Sequence, residues 1–295
     1  MAKVKIITDS CSDLSGELLQ KYDIDYAKMR TVYDGKESEA SLLWDGFSAK
    51  EFYGLMREGK RITTTQVPIQ EFERVFRKYL SEGYDIVYIA CCSKQSSSVN
   101  TGTVVARRLL SEYEGRTVHC IDSLNACMGE GLLAIRAAEL RDEGLSADEI
   151  AERITASLNY VNEYVAVHSL DALHRAGRVK ASAAFFGNLL GVKPIIISDK
   201  NGVQTPVKKV KGRRTSLDEI VSLLKASIRE SEKQTVYISH ADCNEAELAY
   251  VKEAILREIP CKGVYVNYIG PIIGASIGPD AIAIFAFGEE VTFEG

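Results

Sequence analysis

The sequence predicts an α/β fold with two domains, and three observations support this prediction. Strand-like apolar runs alternate with segments of helical periodicity through the first half of the chain, which predicts a wound, mainly parallel sheet. The second half contains two strand-like segments joined by Lys200-Asn201-Gly202, which predicts an antiparallel hairpin in a mixed α/β domain. The length of 295 residues is sufficient for two separate hydrophobic cores. We therefore expect an N-terminal α/β domain at residues 1–160 and a C-terminal α/β domain at residues 161–295.

The predicted elements follow the apolar pattern along the chain. Short apolar runs predict strands at Val4–Thr8, Ile86–Cys92, Thr117–Ile121, Val165–His168, Pro194–Ser198, Thr235–Ser239, Gly263–Tyr268 and Ala281–Phe287. Helical periodicity predicts helices at Leu14–Lys21, Gln70–Glu82, from about Asn100 onward, Gly129–Glu143, Ala147–Val161, Leu217–Ser231 and Glu245–Glu258. Ser146, with Glu149 three residues later, matches a capping box at the start of one of these helices.

Composition and charge argue against several classes of protein. Hydrophobic residues make up 46% of the chain and charged residues 26%, which is typical of globular proteins. The net charge of −5 gives no reason to expect nucleic-acid binding, and no apolar run approaches the roughly 20 residues that span a bilayer. The first ten residues lack the apolar core of a secretory signal. Seven cysteines without CxxC spacing are typical of reduced cytosolic thiols, so we expect a cytoplasmic protein without a metal or cofactor.

The stretch from Asp85 to Gly102 is the most informative part of the chain. A buried-looking strand runs directly into four serine hydroxyls, at Ser93, Ser96, Ser97 and Ser98, and a helix follows. Ligands of open α/β sheets bind beyond the carboxyl ends of the strands, where hydroxyls and free helix N–H groups suit an anion or a polar headgroup. The segment Thr63-Thr64-Thr65 is a second hydroxyl cluster, although threonines at this place could also serve the turn alone.

Three further segments could contribute to a site, and the first two each allow two interpretations. In Thr8–Leu14, Ser12 or Asp13 could cap the following helix while Asp9 braces a loop, or the segment could form a wall of a site. In His174–Val179, an arginine beside a glycine turn could pair with a helix or hold an anion. The segment Gly270–Ala281 predicts a tight loop whose backbone can approach a ligand, but it lacks the glycine spacing of a nucleotide-phosphate loop.

Signals for catalysis and for partner surfaces are weaker. Ser93, His240 and Asp122 could in principle form a catalytic triad, but no GxSxG motif supports it. The basic run Lys208–Arg214 is explained by a solvated hairpin edge, or else by a docking site for a partner or an anionic membrane. The segment Ala181–Leu190 predicts a small-residue helix that packs at a domain interface or lines an apolar tunnel.

Taken together, six motifs in order along essentially the whole chain resemble the DegV family. These are fatty-acid-binding proteins that include the acyl-carrying subunits of bacterial fatty acid kinase. The matching segments are Ile6-Ile7-Thr8-Asp9-Ser10 with Asp13-Leu14, Thr64-Thr65-Gln66, Ser93–Ser98, Asp122-Ser123 with Gly129 and Gly131, Ala176-Gly177-Arg178-Val179, and Gly274–Ala281.

The resemblance implies a specific function for the chain. Two α/β domains would hold a long-chain fatty acid in the cleft between them, with the carboxylate at hydroxyls of the mouth. By position, the principal ligands would be Thr64 and Ser96, and the residues near the headgroup would be Thr65, Ser93, Ser97, Arg178 and Ser276. The chain itself would be a non-catalytic monomer, and a separate fatty acid kinase would phosphorylate the presented carboxylate, with transient contact at a membrane surface.

The chain departs from the family pattern at four positions. The closing-loop histidine of the family is Ser276 here, and a nearby glycine is Asp280; Ser97 and Ala176 also replace glycines. Losing a histidine and gaining an aspartate would make the mouth less favourable for an anion, unless Arg175 or Arg178 compensates or the headgroup differs. Two alternative functions stay open: a serine-dependent hydrolase or phosphotransferase, and a lipid-sensing regulatory module that binds a partner through Lys208–Arg214.

Overall fold

The computed structural model of the protein describes residues 3–180 and 191–295. The predicted helix at Ala181–Leu190 lies outside the described residues. Two compact units divide the chain. The first unit contains Met1–Gly46, Thr64–Leu158 and Gly270–Ile272, and the second contains Phe47–Thr63, Asn159–Ile269 and Ile273–Gly295. The placement of a domain boundary near residue 160 stays a prediction.

The strands and helices follow one another along the described ranges. In chain order they are β1 (Lys3–Asp9), α1 (Gly16–Lys21), β2 (Ile24–Ala27), β3 (Arg30–Tyr33), β4 (Lys36–Glu39), α2 (Ala49–Arg57), β5 (Thr63–Thr65), α3 (Ile69–Ser81), β6 (Tyr84–Ala90), α4 (Ser98–Leu110), β7 (Val118–Asp122), α5 (Cys127–Asp142), α6 (Ala147–Thr155), β8 (Val161–Ala166), α7 (Asp171–Ala176), β9 (Val192–Ser198), β10 (Gln204–Lys211), α8 (Arg213–Ser227), β11 (Thr235–His240), α9 (Glu245–Glu258), β12 (Gly263–Tyr268), α10 (Pro271–Ile277) and β13 (Ile282–Phe287).

The first unit is built on a parallel sheet with the strand order β2-β1-β6-β7 among its described residues. Nearly every residue of β1 and most of β6 are buried, as expected for strands covered on both faces. Ile6 pairs with Val87 at the centre of the sheet. On α3, Phe72 and Phe76 pack against Tyr88 of β6, with ring centroids 5.3 and 6.1 Å from the tyrosine ring. The predicted wound, parallel sheet is confirmed.

A small sheet of order β4-β3-β5 is a feature that the sequence analysis missed. Strands β3 and β4 form a hairpin, and Asp34 and Gly35 at its tip have φ values of 50° and 72°. Two consecutive positive φ values are typical of a type I′ turn, for which Asp-Gly is a preferred pair. The Asp-Gly pair was therefore the signal that could have revealed this hairpin.

The second unit contains a mixed sheet of order β10-β9-β8-β13-β11-β12 over the part of the chain that the structure describes. Strands β9 and β10 form the predicted antiparallel hairpin, and β10 lies at an edge of the sheet. Within this sheet, β11 and β12 form the only parallel pair among the described residues. Helices α8 and α9 cover a core in which Ile220, Val251 and Ile284 are completely buried. The mixed α/β class predicted for the second half is confirmed.

Three local expectations are wrong. The helix expected to reach Val161 ends at Thr155, because Val161 pairs with Phe287 and starts β8. Helix α1 is capped by Ser15, whose hydroxyl accepts from the Leu18 N–H at 3.2 Å, and not by Ser12 or Asp13.

The third of these wrong expectations concerns Gly270–Ala281, where a tight loop was predicted. The segment contains helix α10, with Pro271 at its first position and Gly278 just beyond its end at a φ of 82°. Proline is favoured at the first helical position because its missing N–H and restricted φ carry no cost there. Glycine is favoured after the last turn because it adopts positive φ. Prolines and glycines therefore delimit a short helix in this segment.

No helix among residues 3–180 and 191–295 combines the length and the apolar character that a membrane span requires.

Candidate functional site

Asp9 holds together the loops that follow β1 and β6 in the first unit. One carboxylate oxygen accepts from the Tyr88 hydroxyl at 2.7 Å and from the Cys91 N–H at 3.1 Å, and the other accepts from the Cys11 N–H at 2.9 Å. Burial raises the pKa of Asp9, and these hydrogen bonds oppose the increase. With both oxygens occupied, Asp9 is a brace of the loop rather than a free base, as the first interpretation of this segment expected for Asp9.

The serine-rich loop lies between β6 and α4. The Ser93 N–H donates to the Asp122 carboxylate at 3.1 Å, which joins this loop to the end of β7. The Ser96 and Ser98 hydroxyls are 2.9 Å apart, and the Ser98 N–H donates to Ser96 Oγ at 3.3 Å. Ser98 is completely buried, Ser96 is half-buried, and Ser93 and Ser97 are exposed. Ser97 precedes α4 without a side-chain cap bond.

The threonine segment is tied directly to the first turn of α4. The Val67 N–H donates to Ser98 Oγ at 3.2 Å, and Gln66 Nε2 donates to Thr101 Oγ1 at 3.0 Å. The structure therefore connects the two hydroxyl-bearing segments that the sequence analysis singled out. Within β5, Thr64 is half-buried and Thr65 is exposed. Successive side chains of a strand point to opposite faces, so Thr64 and Thr65 extend from opposite faces of β5.

Asp13 forms contacts that the sequence analysis did not predict. Its carboxylate accepts from the Gly270 N–H at 2.8 Å and from the Cys127 thiol at 2.7 Å. Ser12 Oγ, next to Asp13 in the chain, and Asn125 Oδ1, two residues before Cys127, are buried polar atoms that have no hydrogen-bond partner among the described residues. Asp13 therefore fastens the segment Gly270–Ile272 into the first unit.

The seven predicted binding residues divide between the two units. The first unit contains Thr64, Thr65, Ser93, Ser96 and Ser97, and the second unit contains Arg178 and Ser276. Arg178 is exposed beyond α7, and its guanidinium donates to the Ala176 carbonyl. Ser276 is half-buried within α10. Roles for all seven residues in ligand binding stay predictions.

Asp280, which replaces a glycine of the family pattern, is balanced by an arginine within the second unit. Arg57 on α2 contacts Asp280 through Nη2 at 2.7 Å and Asp242 through Nη1 at 2.6 Å. The Asp280 carbonyl also accepts from Arg213 at 2.7 Å. The neighbouring cation reduces the repulsion that an unpaired Asp280 would exert on an anion. Arg57 is shared between the two carboxylates, and compensation by Arg175 or Arg178 stays a prediction.

The residues considered for a serine-dependent reaction have other partners. Asp122 Oδ1 accepts from the backbone N–H groups of Ser93 and Leu124, both at 3.1 Å. His240 belongs to the second unit, where it is buried and stacks on Tyr268 with ring centroids 4.3 Å apart. Burial lowers the pKa of His240 to about 4, so this side chain is neutral at pH 7.

The basic run Lys208–Arg214 spans the end of β10 and the start of α8. Lys208 pairs with Glu219 at 2.8 Å, and Arg213 pairs with Glu247 at 2.9 Å while donating to the Ala166 carbonyl at 3.2 Å. The Arg213 side chain is only 13% exposed, so its guanidinium forms these contacts within the second unit and is largely shielded from solvent. Part of the run is therefore structural, and its lysines lie on an edge strand.

Comparison with known proteins identifies the family. A sequence profile described as an uncharacterised protein of the DegV family matches residues 3–289, which is nearly the entire chain. The chain belongs to the DegV family. A DegV domain-containing protein from Clostridium perfringens is 33% identical to it over 289 residues, covering 98% of this chain and 99% of the relative.

Solved structures of DegV proteins share the fold. A DegV family protein from Thermus thermophilus, described by its fatty acid binding, matches with a TM-score of 0.87 and 24% identity over 97% of this chain and all of the other. DegV from Bacillus subtilis, described as a fatty acid binding protein, matches with a TM-score of 0.82 and 25% identity, covering 98% of this chain and 100% of the other. The predicted DegV-like α/β fold is thereby confirmed.

Proposed function

We propose that this protein binds a long-chain fatty acid and that its first unit holds the carboxylate through Thr64 and Ser96. The observation that carries the proposal is the pair of hydrogen bonds from Gln66 and Val67 to the first turn of α4. They connect the threonine segment to the serine-rich loop beyond the carboxyl end of β6. Fatty acid binding by structurally similar DegV proteins supports the ligand class.

The hydrogen bonds around Ser96 are compatible with donation to the carboxylate. The buried Ser98 hydroxyl accepts from the Val67 N–H, and the Ser96 and Ser98 hydroxyls are 2.9 Å apart, so either can donate to the other. When Ser98 donates within this pair, the Ser96 proton is available to a ligand. A half-buried hydroxyl that donates to a carboxylate forms a charge-assisted bond, which contributes about 1.5–3 kcal/mol.

General magnitudes indicate how much the acyl tail and the carboxylate of the fatty acid each contribute to the binding free energy. Burying about 14 methylenes at about 0.8 kcal/mol each stabilises the complex by roughly 11 kcal/mol before costs. Loss of translational and rotational freedom costs about 4–15 kcal/mol. The tail therefore supplies most of the affinity, whereas the hydroxyls set the position of the carboxylate.

Presentation of the carboxylate to a partner kinase is the further part of the proposal. An exposed loop that holds a carboxylate by neutral hydroxyls leaves one oxygen of the ligand accessible to a phosphoryl donor. In this role the chain binds and orients the acid, and the partner performs the transfer that yields an acyl phosphate. The exposed Ser93 and Ser97 at the same loop are then available for contact with the partner rather than with the ligand.

Mass spectrometry of an organic extract of the freshly purified protein tests the ligand class. A stoichiometric fatty acid supports the proposal, and a different lipid class would contradict the assignment of a carboxylate head. A protein without lipid, and without affinity for added fatty acids, would contradict the function itself.

Titration of fatty acids tests the two headgroup residues. We expect Thr64→Ala combined with Ser96→Ala to weaken binding at least tenfold, because two hydrogen bonds to the carboxylate are lost. Thr65→Ala is the matched control, since its side chain points to the opposite face of β5 and should change the affinity by less than about twofold. Unchanged affinity in the double variant would contradict the headgroup assignment.

A further inference from the structure

A cluster of sulfur and carboxylate side chains lies inside the first unit, apart from the hydroxyls of the proposed ligand site. One ligand atom from each of Cys11, Cys91 and Glu130 lies within 4.8 Å of the other two, and all three residues are buried. The Sγ atom of Cys11 is also 3.5 Å from Sδ of Met29. Cys11 follows β1, Cys91 follows β6, and Glu130 lies in the first turn of α5.

Glu130 contains an unpaired polar atom at this cluster. Its Oε1 accepts from the Thr8 hydroxyl at 2.6 Å, whereas Oε2 has no hydrogen-bond partner within the described part of the chain. The residue is 0% exposed. A buried carboxylate oxygen without a partner is costly, and coordination of a metal is one of the ways in which proteins compensate that cost.

The surroundings hold the three candidate ligands in place. Asp9 accepts from the backbone N–H groups of both Cys11 and Cys91, so a single side chain orients both cysteines. Thr8 orients the carboxylate of Glu130 from the other side. At Gly131, an added Cβ would lie 2.6 Å from the Ser12 carbonyl oxygen, so only glycine lets α5 approach the loop after β1 this closely. Metal ligands are typically held by such outer hydrogen bonds.

We propose that Cys11, Cys91 and Glu130 form a binding site for Zn²⁺, with the Met29 thioether beside it. Thiolates and thioethers favour soft cations, and the carboxylate favours Zn²⁺ over Cu⁺. Tetrahedral Zn²⁺ with Zn–S bonds near 2.3 Å places two sulfurs about 3.8 Å apart. The two sulfurs therefore need to approach each other by about 1 Å at most. Binding displaces one proton from each thiol and one from the Glu130 carboxyl.

The site differs from the sequence expectation of a protein without metal. That expectation rested on the absence of closely spaced ligand pairs along the chain. In the fold, the ends of two neighbouring parallel strands bring Cys11 and Cys91 together, although they are far apart in sequence. The ion would join β1, β6 and α5 at the base of the serine-rich loop.

Metal loading of the full-length chain tests the proposal. The protein is unfolded and refolded without oxygen in the presence of Zn²⁺ or Co²⁺, because the ligands are buried, and is then freed of loose metal with a weak chelator. We expect about one equivalent of retained Zn²⁺ and, with Co²⁺, a sulfur-to-cobalt charge-transfer absorption. Retention of less than a tenth of an equivalent, or bound Co²⁺ without that absorption, would overturn the proposal.

Substitution of the proposed ligands tests whether the ion binds at this cluster. Cys11→Ala and Cys91→Ala should lose the metal and the charge-transfer absorption, whereas Cys120→Ser, on β7 of the same unit, should retain both. Glu130→Gln keeps the size of the side chain and serves if the cysteine variants do not fold; we expect at least tenfold weaker retention of Zn²⁺. Equal retention in Glu130→Gln and the parent protein, or equal loss in Cys120→Ser and Cys11→Ala, would overturn the assignment of ligands.

Discussion

The two larger sheets among the described residues distribute their buried polar groups in different ways. In the first unit, Thr8, Asp9 and Ser10 are completely buried at the end of β1, beside the end of β6. In the second unit, buried polar groups also occur within strands, such as Glu163 in β8 and Gln204 in β10. Parallel strands have all their carboxyl ends at one edge, so polar loops converge there, whereas a mixed sheet divides strand ends between its edges. The difference explains why Ser96, one of the two hydroxyls proposed to bind a ligand, lies just beyond a strand of the parallel sheet.

The largest expected effect is the loss of stability when a buried aromatic ring is removed from the core of either larger sheet. Phe72→Ala in the first unit and Phe285→Ala in the second each remove a completely buried ring, which costs about 3–5 kcal/mol in a protein core. We expect Phe72→Ala to accelerate amide hydrogen exchange mainly in β1 and β6, and Phe285→Ala mainly in β8 and β11. Equal acceleration in both sheets by either variant would show that the two cores do not open separately.

A second prediction concerns the buried carboxyl of the mixed sheet. Burial raises the pKa of Glu163 to about 7 from its ordinary value of 4.5, while hydrogen bonds from Gln204 and Ser198 oppose the increase. The folded state therefore binds the proton more tightly, and the stabilisation is complete below pH 4.5 and is lost as the pH rises through 7. From the shift we expect a loss of about 3 kcal/mol over this interval.

Urea unfolding between pH 4.5 and pH 8 checks this prediction. Glu163→Gln should abolish most of the pH dependence assigned to this group, because an amide does not titrate. Glu152→Gln, at an exposed position of α6, is the matched control and should follow the parent protein. A pH dependence that persists in Glu163→Gln would assign it to another group.

A smaller effect is expected at the polar edge of the parallel sheet. Ser98→Ala removes the acceptor of the Val67 N–H and the partner of the Ser96 hydroxyl. Leaving a buried N–H without an acceptor costs about 1–3 kcal/mol of folding free energy. Because Ser96 also loses its orientation, fatty-acid affinity should fall by roughly fivefold, equivalent to about 1 kcal/mol. Isothermal titration with the parent protein as reference measures the affinity; loss of stability with unchanged affinity would contradict the positioning role.

The smallest expected effect is the loss of stability when the N-cap serine of either of two helices is replaced. Ser146 caps α6 in the first unit and Ser48 caps α2 in the second, and both form complete capping boxes with a glutamate three residues later. Replacing either serine by alanine should cost about 1 kcal/mol. Hydrogen exchange of the first turn of each helix measures the local effect. A cost above about 2 kcal/mol at either position would indicate that the cap supports more than its own helix.

The sequence determined the repeating features of the fold. Alternation of apolar strands with amphipathic helices reflects backbone geometry and burial, which act over a few residues, and it predicted both sheets and the β9–β10 hairpin. The motifs around Thr64-Thr65-Gln66 and Ser93–Ser98 identified the family for the same reason, since the residues of each motif are adjacent in the chain. The short strands β2 to β5 and the helices α7 and α10 escaped prediction, because three to seven residues are too few to establish a period. Helix α2, with nine residues, was not predicted either.

Only the tertiary structure decided which distant side chains meet. Asp13 accepts from the Gly270 N–H across 257 residues of chain, and Arg57 pairs with Asp280 across 223 residues. The contact of Glu130 with Thr8 likewise spans 122 residues. Such pairs depend on which loops the strand order brings to the same edge of a sheet, and no local pattern encodes that order. The sequence could therefore name the hydroxyls of the candidate site, whereas the fold alone assembled the charges and sulfurs around them.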